Sequence, residues 1–454
     1  MSVTVTKPSP VLVGPATPTT APAVDKTTTV QHINLSSFDM ALAFFPVTSF
    51  HVFDRAIPTP AAATVRVALS RAMVHYFPVA GRLVVSDDGG RQLRIACTGE
   101  GVPFVAASAD VSIADAGLLD LDPPPTSGVA ALLLDELALG LAGDGFRPSD
   151  PLLLVQVTEF ACGGFVVAVT RNHAIADGTG FAQFMAAVGE LARGLPRPSV
   201  LPVSCGDDDS SLPELPPLVA AMEKALVALE PRDFPFLDIT VPSRCIDRIK
   251  AGFAAGAGDD AGDGPCTVFE AVMAVLWQCR TRAVTMPGDD PSTPAPLVFA
   301  ANVRKLAGAR QGFYGNCITS VLAVPTSGEV ANGDITDVVR LIKRAKRQIP
   351  HQFKRSSNGV AAVAGEEGGL SLEQVEVMFG YNAFDVTSWR NLGADAVDFG
   401  GGRPARVMCR MDRMPVPHCV ACLPWKNKDG ANVLARCVRE EHVDAFRGEL
   451  AKFT

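Results

Sequence analysis

Phe165-Val166-Val167-Ala168-Val169-Thr170-Arg171-Asn172-His173-Ala174-Ile175-Ala176-Asp177-Gly178 begins as an apolar run and ends as a turn. Five consecutive apolar residues mark 165–169 as a buried β-strand. Beyond the turn a helical pattern starts near Gly180, with Phe181, Phe184, Met185, Val188 and Leu191 on one face and Gly194 at its end. Strand, turn and helix in succession point to an α/β fold. A histidine at the end of a rigid strand can be held in one tautomer and aimed at a substrate, so His173 is a candidate general base. Asp177, beside Gly178, can fold back to fix the turn without touching the substrate. As a helix N-terminal carboxylate it fits the same position.

The neighbouring segments extend the pattern. Leu152 to Val155 begin another buried strand, which pairs with 165–170 through the small Cys162-Gly163-Gly164 turn. Val65, Leu69, Ala72, Met73 and Tyr76 have helical spacing after Pro60, and Pro78 and Gly81 stop that helix before a strand at Arg82 to Val85. Val3, Val5, Val11 and Val13 suggest a short edge strand that runs into a Pro/Thr loop. In the second half Thr267 caps a helix with Glu270 completing a capping box, and Val268, Val272, Val275 and Leu276 form its apolar face. The end reads as strand, turn at Asn427-Lys428-Asp429-Gly430, strand, then a helix through Phe446 and Leu450. No internal repeat is apparent. The expected fold class is α/β with two mixed-sheet domains.

Length and composition set the outer bounds. A chain of 454 residues is too long for one ordinary core and predicts two domains. The expected division is an N-terminal domain over 1–203, a polar, proline-rich crossover linker over 204–217, and a C-terminal domain over 218–454. Residues 251–265, rich in Gly and Asp, read as a mobile surface loop. Apolar residues make up 48% and charged residues 19%, a globular balance, and the net charge of −8 argues against nucleic acid or anionic membrane as the main partner. Eleven scattered cysteines suggest free, buried thiols in a reducing compartment. No signal peptide and no membrane span are expected, which makes the expected location cytoplasmic.

Several segments taken together resemble the plant BAHD acyltransferases, which move an acyl group from coenzyme A to an alcohol or amine. His173, Asp177 and Gly178 look like that family's HxxxDG motif. Leu35-Ser36-Ser37-Phe38-Asp39 resembles its LSxxD element, and Tyr76 to Leu83 the segment ending in AGRL. Thr267 to Arg280, Asn302-Val303-Arg304, Tyr314-Gly315-Asn316, Thr387-Ser388-Trp389 and Asp398-Phe399-Gly400 follow in the family's order. The likeness spans residues 30 to 452. Where the family usually reads Asp-Phe-Gly-Trp-Gly, this chain has Asp398-Phe399-Gly400-Gly401-Gly402. The family treats that element as structural and distant from the base, so the change bears on local packing and CoA affinity more than on the chemistry.

The resemblance implies two similar mixed-sheet domains of the chloramphenicol-acetyltransferase-like type with the active site at their interface. It implies acyl-CoA as co-substrate with no permanently bound cofactor, a small amine or alcohol acceptor, and a monomer. His173 would act as general base, with Trp389 and Thr387 as donors to the oxyanion. Asp177 would point away from substrate and pair with Arg304, with Gly178 and Asp398 structural at the site. Arg390 and Lys250 are the candidates for CoA contacts. Shikimate-using members carry an arginine upstream of the Thr-Ser-Trp element, whereas 372–377 here has Glu373 and Glu376 and no arginine. That disfavours an anionic acceptor and leans the choice towards an amine. Hydroxycinnamoyl and benzoyl groups are common donors in the family.

Other readings carry less. His418-Cys419-Val420-Ala421-Cys422 lies where a strand is expected and lacks a second CxxC, so no metal site is expected. No GxSxG elbow is present, and Gly140 to Gly145 follows a helical run instead of a strand, which argues against a dinucleotide fingerprint. Lys343, Arg344, Lys346 and Arg347 read as the solvated face of a helix whose apolar side holds Val339, Ile342, Ala345 and Ile349. Two alternatives come from other classes. One is a family-fold protein that no longer catalyses and serves as a binding partner in lipid elongation. The other is condensation-type transfer from a carrier protein, which Asn172 in place of a second histidine disfavours.

Overall fold

A computed structural model describes residues 3–16, 30–85, 93–119, 129–141, 143, 145–204, 212–256, 264–356 and 371–453. The chain forms two compact units. The first comprises Met1–Glu214, Arg304–Cys317 and Asn391–Arg410, and the second Leu215–Val303, Ile318–Arg390 and Met411–Thr454. The expected halves were continuous, but these units are not. Two short stretches of the second half pack into the first unit, each for an identifiable reason. Strand Arg406–Cys409 pairs antiparallel with Pro46–Phe53, and Arg304–Cys317 is held by contacts at the helix after His173, described below. Most of the expected linker, 205–211, lies outside the described residues.

The first unit is built on a seven-stranded mixed sheet. Its order is Val5–Thr6, Val102–Ala109, Leu153–Phe160, Phe165–Asn172, Pro46–Phe53, Arg406–Cys409, with Val11–Val13 also on Val102–Ala109. Phe165–Asn172 lies centrally between two antiparallel partners. Every one of its eight residues is buried, which explains why its sequence shows an unbroken apolar run instead of an alternation. Helices Ala61–His75 and Gly178–Ala192 pack through Val65, Leu69, Met73, Phe181, Phe184, Met185 and Val188 against Val155, Val157, Val167 and Val169. Gly163, at φ +82°, closes the 160–165 turn in the left-handed region that glycine adopts without strain.

The second unit holds a six-stranded mixed sheet in the order Leu237–Val241, Ala431–Arg436, His418–Cys422, Phe384–Ser388, Leu297–Asn302, Ile318–Ala323. Phe384–Ser388 runs parallel to both of its neighbours. Behind the sheet lies helix Val268–Val284, whose capping box at Thr267 and Glu270 is formed. Its residues 270–281 are all buried, so the helix is enclosed and not merely amphipathic. Its polar residues serve loop carbonyls. Gln278 donates to Val330 and Gly333 O at 3.0 and 2.9 Å, and Arg280 donates to Cys437 O at 2.7 Å and also to Tyr381 O.

Two sequence expectations are corrected here. Lys343 is not part of a solvated face. It is 7% exposed, donates to Pro265 O at 3.0 Å and lies 3.2 Å from Glu270, which also receives Lys346 at 2.6 Å. The capping carboxylate of one helix therefore neutralises the basic side of another, a pairing that linear charge patterning cannot show. The Gly/Asp-rich loop is also shorter than read, because helix Ser243–Ala255 covers its start, while 257–263 lie outside the described residues. Cys419 and Cys422 both sit on strand His418–Cys422. Three residues apart on a strand, their side chains leave opposite faces. The described cysteines are all free thiols.

Two further histidines are enclosed, His51 in the first unit and His418 in the second, 1% and 8% exposed. Burial lowers each pKa to about 4, with the Arg171 charge adding for His51. A folded-state pKa below the unfolded value of about 6.5 means that the unfolded chain takes up the proton first. Stability from such a group is complete above about pH 6.5 and declines as pH falls towards 4. Replacing His51 by Leu removes that decline, at up to about 1.4 kcal/mol per pH unit. Thermal melts of wild type and His51→Leu should therefore show the variant gaining on wild type below pH 6.5 and running parallel to it above; parallel behaviour throughout would rule out a neutral buried His51.

Candidate active site

His173 directly follows the central strand and opens a short 3₁₀ turn, His173–Ile175. The turn is locked from both sides. Asn172 Oδ1 accepts from Ala174 N at 3.0 Å and Phe44 N at 3.1 Å, and His173 N donates to Phe45 O at 2.8 Å. The imidazole is partly buried near the Phe45 ring, with Nδ1 at 3.0 Å from Asn316 Oδ1. Its pKa falls to about 4, mainly through burial and then through the Arg171 charge, with Asp177 opposing. Arg171 is itself 1% exposed and lies 4.1 Å over the Phe181 ring. A neutral imidazole with a free ring nitrogen can take a proton at ordinary cellular pH.

Asp177 faces away from the imidazole. It is the N-cap of helix Gly178–Ala192, accepting from Gly180 N at 2.9 Å. Arg304 grips it in a two-pronged ion pair, Nη1 to Oδ2 at 2.7 Å and Nη2 to Oδ1 at 2.8 Å, and Cys317 N adds a donor at 3.0 Å. Arg304 also donates to Gly315 O at 2.8 Å. The carboxylate has no exposure at all. It is therefore saturated with donors and has no role left in proton transfer.

The same helix end meets segment 304–317 backbone to backbone. A Cβ at Gly180 would lie 1.7 Å from Tyr314 O and 2.5 Å from Tyr314 C, so no other residue fits. At Gly178 the nearest atoms a Cβ would meet belong to the Leu392 side chain, at 2.4 Å. Gln183, one turn further on, donates to Tyr76 Oη at 3.1 Å and Gly312 O at 2.9 Å. Tyr76 packs edge-on to Tyr314 at 5.1 Å. The Tyr76 to Leu83 element thus supports the wall behind the histidine.

Asp398 lies elsewhere on this helix. It packs on Gly189, where a Cβ would meet Asp398 O at 2.7 Å, and its Oδ1 accepts from Gly400 and Gly402 N at 2.7 and 2.9 Å. Gly189 is about 18 Å along the helix from Asp177 at 1.5 Å per residue. Gly400 and Gly402 take φ of +104° and +100°, while a Cβ at Gly401 would approach the Ile57 methyl to 2.9 Å.

In the second unit, Thr387 and Trp389 leave the end of strand Phe384–Ser388, with Trp389 N donating to Ala421 O at 2.8 Å. Arg390 is half-buried and its Nη1 donates to Gly430 O at 2.6 Å and Cys422 O at 3.4 Å, so a phosphate would have to be met by its other nitrogens. Lys250 sits on helix Ser243–Ala255, its charge near Cys266 together with Lys343 and Lys346. Glu376 is exposed on helix Leu372–Phe379, and the Glu373 side chain lies outside the described residues. The lean towards an amine therefore finds no support. Among the described residues, no group of three or more His, Cys, Asp or Glu is placed to hold a metal, and no helix is long and apolar enough to cross a membrane. Sequence reasoning gave no role to Arg171, Asn316 or Asp39. The last two sat inside quoted family elements, and only Arg171, the one charge on a fully buried strand, carried a signal of its own.

Residues 16–452 match the Transferase family model. The chain belongs to the plant BAHD acyl-CoA-dependent acyltransferases. Acyl transferase 15 of Oryza sativa subsp. japonica is 42% identical over 463 residues, covering 100% of this chain and 99% of the relative. Myricetin 3-O-glucosyl 1,2-rhamnoside 6'-O-caffeoyltransferase AT1 of Crocosmia x crocosmiiflora is 33% identical with complete coverage of both chains. Benzyl alcohol O-benzoyltransferase of Nicotiana tabacum is 30% identical over 85% of this chain and 81% of its own length. The crystal structure of vinorine synthase shares the fold, with a TM-score of 0.70 at 18% identity over 99% of this chain and 98% of that one. This BAHD member is thus an acyltransferase with the expected α/β fold of two mixed sheets.

Removing one partner of a buried ion pair typically costs about 3–5 kcal/mol. Asp177→Ala and Arg304→Ala should each lower the denaturant midpoint by an amount of that order. Gly180→Ala should yield mostly insoluble protein, whereas Gly178→Ala, whose nearest neighbour is a movable leucine side chain, should remain soluble. An Asp177→Ala protein as stable as wild type in a urea titration would show that the pair does not hold the segment.

Proposed function

We propose that this enzyme transfers a hydroxycinnamoyl or benzoyl group from coenzyme A to an uncharged alcohol or amine, with His173 as general base and no covalent enzyme intermediate. The observation that carries this reading is His173 itself: neutral, fixed at a strand end, and beside an aspartate fully committed elsewhere. The relatives named for caffeoyl and benzoyl transfer acylate hydroxyl groups, which favours an alcohol over an amine. The 372–377 stretch has no arginine to grip an acidic acceptor. The protein is proposed to act in the cytoplasm as a monomer.

In this mechanism the acceptor oxygen attacks the thioester carbonyl as His173 takes its proton. Negative charge collects on the former carbonyl oxygen, where the Trp389 indole N–H and the Thr387 hydroxyl are the proposed donors. Collapse breaks the carbon–sulfur bond, and the imidazolium returns the proton to the departing thiolate. Arg390 and Lys250 are the proposed contacts for the CoA phosphates. The inactive-partner reading rested on Gly401, whose turn is anchored by Asp398 at Gly189, about 18 Å along the helix from Asp177.

Release of CoA thiol from caffeoyl-CoA and benzoyl-CoA, with and without a panel of alcohols and amines, tests the proposal. His173→Ala should reduce acceptor-dependent release by about 10²–10⁴-fold. Equal turnover in wild type and variant would refute His173 as base. The pH profile offers a second check. A base must be unprotonated, so kcat/KM is lost as pH falls through its pKa, and that limb should lie near pH 4 and not near 6.5.

A further inference from the structure

Behind His173 lies a hydrogen-bonded relay that ends at a carboxylate far away in sequence. Asn316 Nδ2 lies 2.8 Å from Asp39 Oδ1 and 2.8 Å from the His173 carbonyl oxygen. A carbonyl accepts only, and so does an ionised carboxylate. Flipping the amide would set its oxygen against both, so the neighbours dictate which end of the side chain is nitrogen. The amide oxygen is then the atom 3.0 Å from His173 Nδ1. An amide oxygen cannot donate, so the hydrogen between them must belong to Nδ1. A neutral imidazole carries one ring hydrogen, which leaves Nε2 bare.

We propose that Asn316 and Asp39 are the positioning residues that fix the reactive tautomer of His173, with Nδ1 protonated and Nε2 as the proton acceptor. The inference rests on His173 being the general base. Asp39 reaches the histidine through Asn316. It acts by fixing Asn316 twice, through the side chain and through Asn316 N at 3.0 Å. Asp39 is in turn fixed by the capping box of helix Ser37–Ala41, where its Oδ2 accepts from Ser36 N at 3.1 Å and Ser36 Oγ at 2.6 Å. It is 3% exposed. Burial pushes its pKa above the ordinary carboxylate value, and these donors counter that only in part. Asp177 cannot fill the role, because its described partners are Arg304, Gly180 and Cys317. The functional partner of the histidine is thus the LSxxD aspartate through Asn316, and not the aspartate four residues downstream.

The tautomer can be read without turnover. Protein labelled with nitrogen-15 histidine gives distinct long-range proton–nitrogen patterns for the two neutral tautomers, and His173→Gln identifies the resonance by its loss. Wild type should show the Nδ1–H pattern near neutral pH. Asn316→Leu and Asp39→Ala should lose it in favour of a mixture or of Nε2–H. Asp39→Asn keeps an acceptor oxygen towards Asn316 and should retain it. With benzoyl-CoA and benzyl alcohol as probes, Asn316→Leu should lower kcat at least about tenfold, since a wrong tautomer costs up to about 10⁴-fold in the serine protease triad. KM for benzoyl-CoA should stay within about twofold, as expected when only transition-state stabilisation is lost. An Nε2–H pattern in wild type, or an unchanged pattern in Asn316→Leu, overturns the proposal. If Asn316→Leu does not fold, the wild-type pattern and the Asp39→Ala and Asp39→Asn pair still decide it. A wild type that transfers no acyl group but shows the Nδ1–H pattern would sink the functional reading and leave the relay standing.

Discussion

The site depends first on one buried ion pair. Asp177 and Arg304 face each other with two short hydrogen bonds, one partner fully enclosed and the other largely so. Ion pairs in this setting gain little net stability over an apolar core, but breaking one strands a charge. Their value lies in register. Asp177 caps the helix, while Arg304 and Cys317 lie at the two ends of the returning segment. Clamping both ends on one carboxylate sets where Tyr314, Gly315 and Asn316 fall.

Close packing then removes the remaining freedom. Gly180 lets the helix backbone reach the Tyr314 carbonyl, and Gln183 reads Gly312 and Tyr76 from the next turn. Asn316 is thereby delivered to His173, and Asp39 receives it from the other side. The result is a histidine held at several points within a rigid frame, which is what a general base without a covalent role requires.

The electrostatics follow from the same arrangement. His173 lies close to Arg171; the arginine is fully buried and the imidazole partly so. Burial and the positive neighbour each disfavour the imidazolium, so the free base is the resting form. Asp177 opposes that effect but spends its charge on Arg304. Two carboxylates near the histidine therefore have separate tasks, Asp177 holding the wall and Asp39 orienting the amide that orients the ring.

Much of this was legible in the chain. The apolar run at 165–169 gave the central strand because a strand covered on both faces needs no polar alternation. The spacing of Phe181, Phe184, Met185 and Val188 gave the helix, the Thr267–Glu270 pair its counterpart in the second unit, and His173 its place at a strand end. These are local properties, written in neighbours a few residues apart. What the sequence could not supply was contact between distant stretches. Lys343 looked solvated because Glu270, its partner, is 73 positions away in the chain. The expected continuous second half failed at 304–317 and 391–410, because ion pairing and strand addition placed both in the first unit. Asn316 and Asp39 are 277 residues apart, and no periodicity or spacing links them. The sequence alone determined the elements, the fold class and the histidine. Only the tertiary structure decided which side chains surround it, because a hydrogen bond is fixed by distance in space and leaves no trace in the order of the chain.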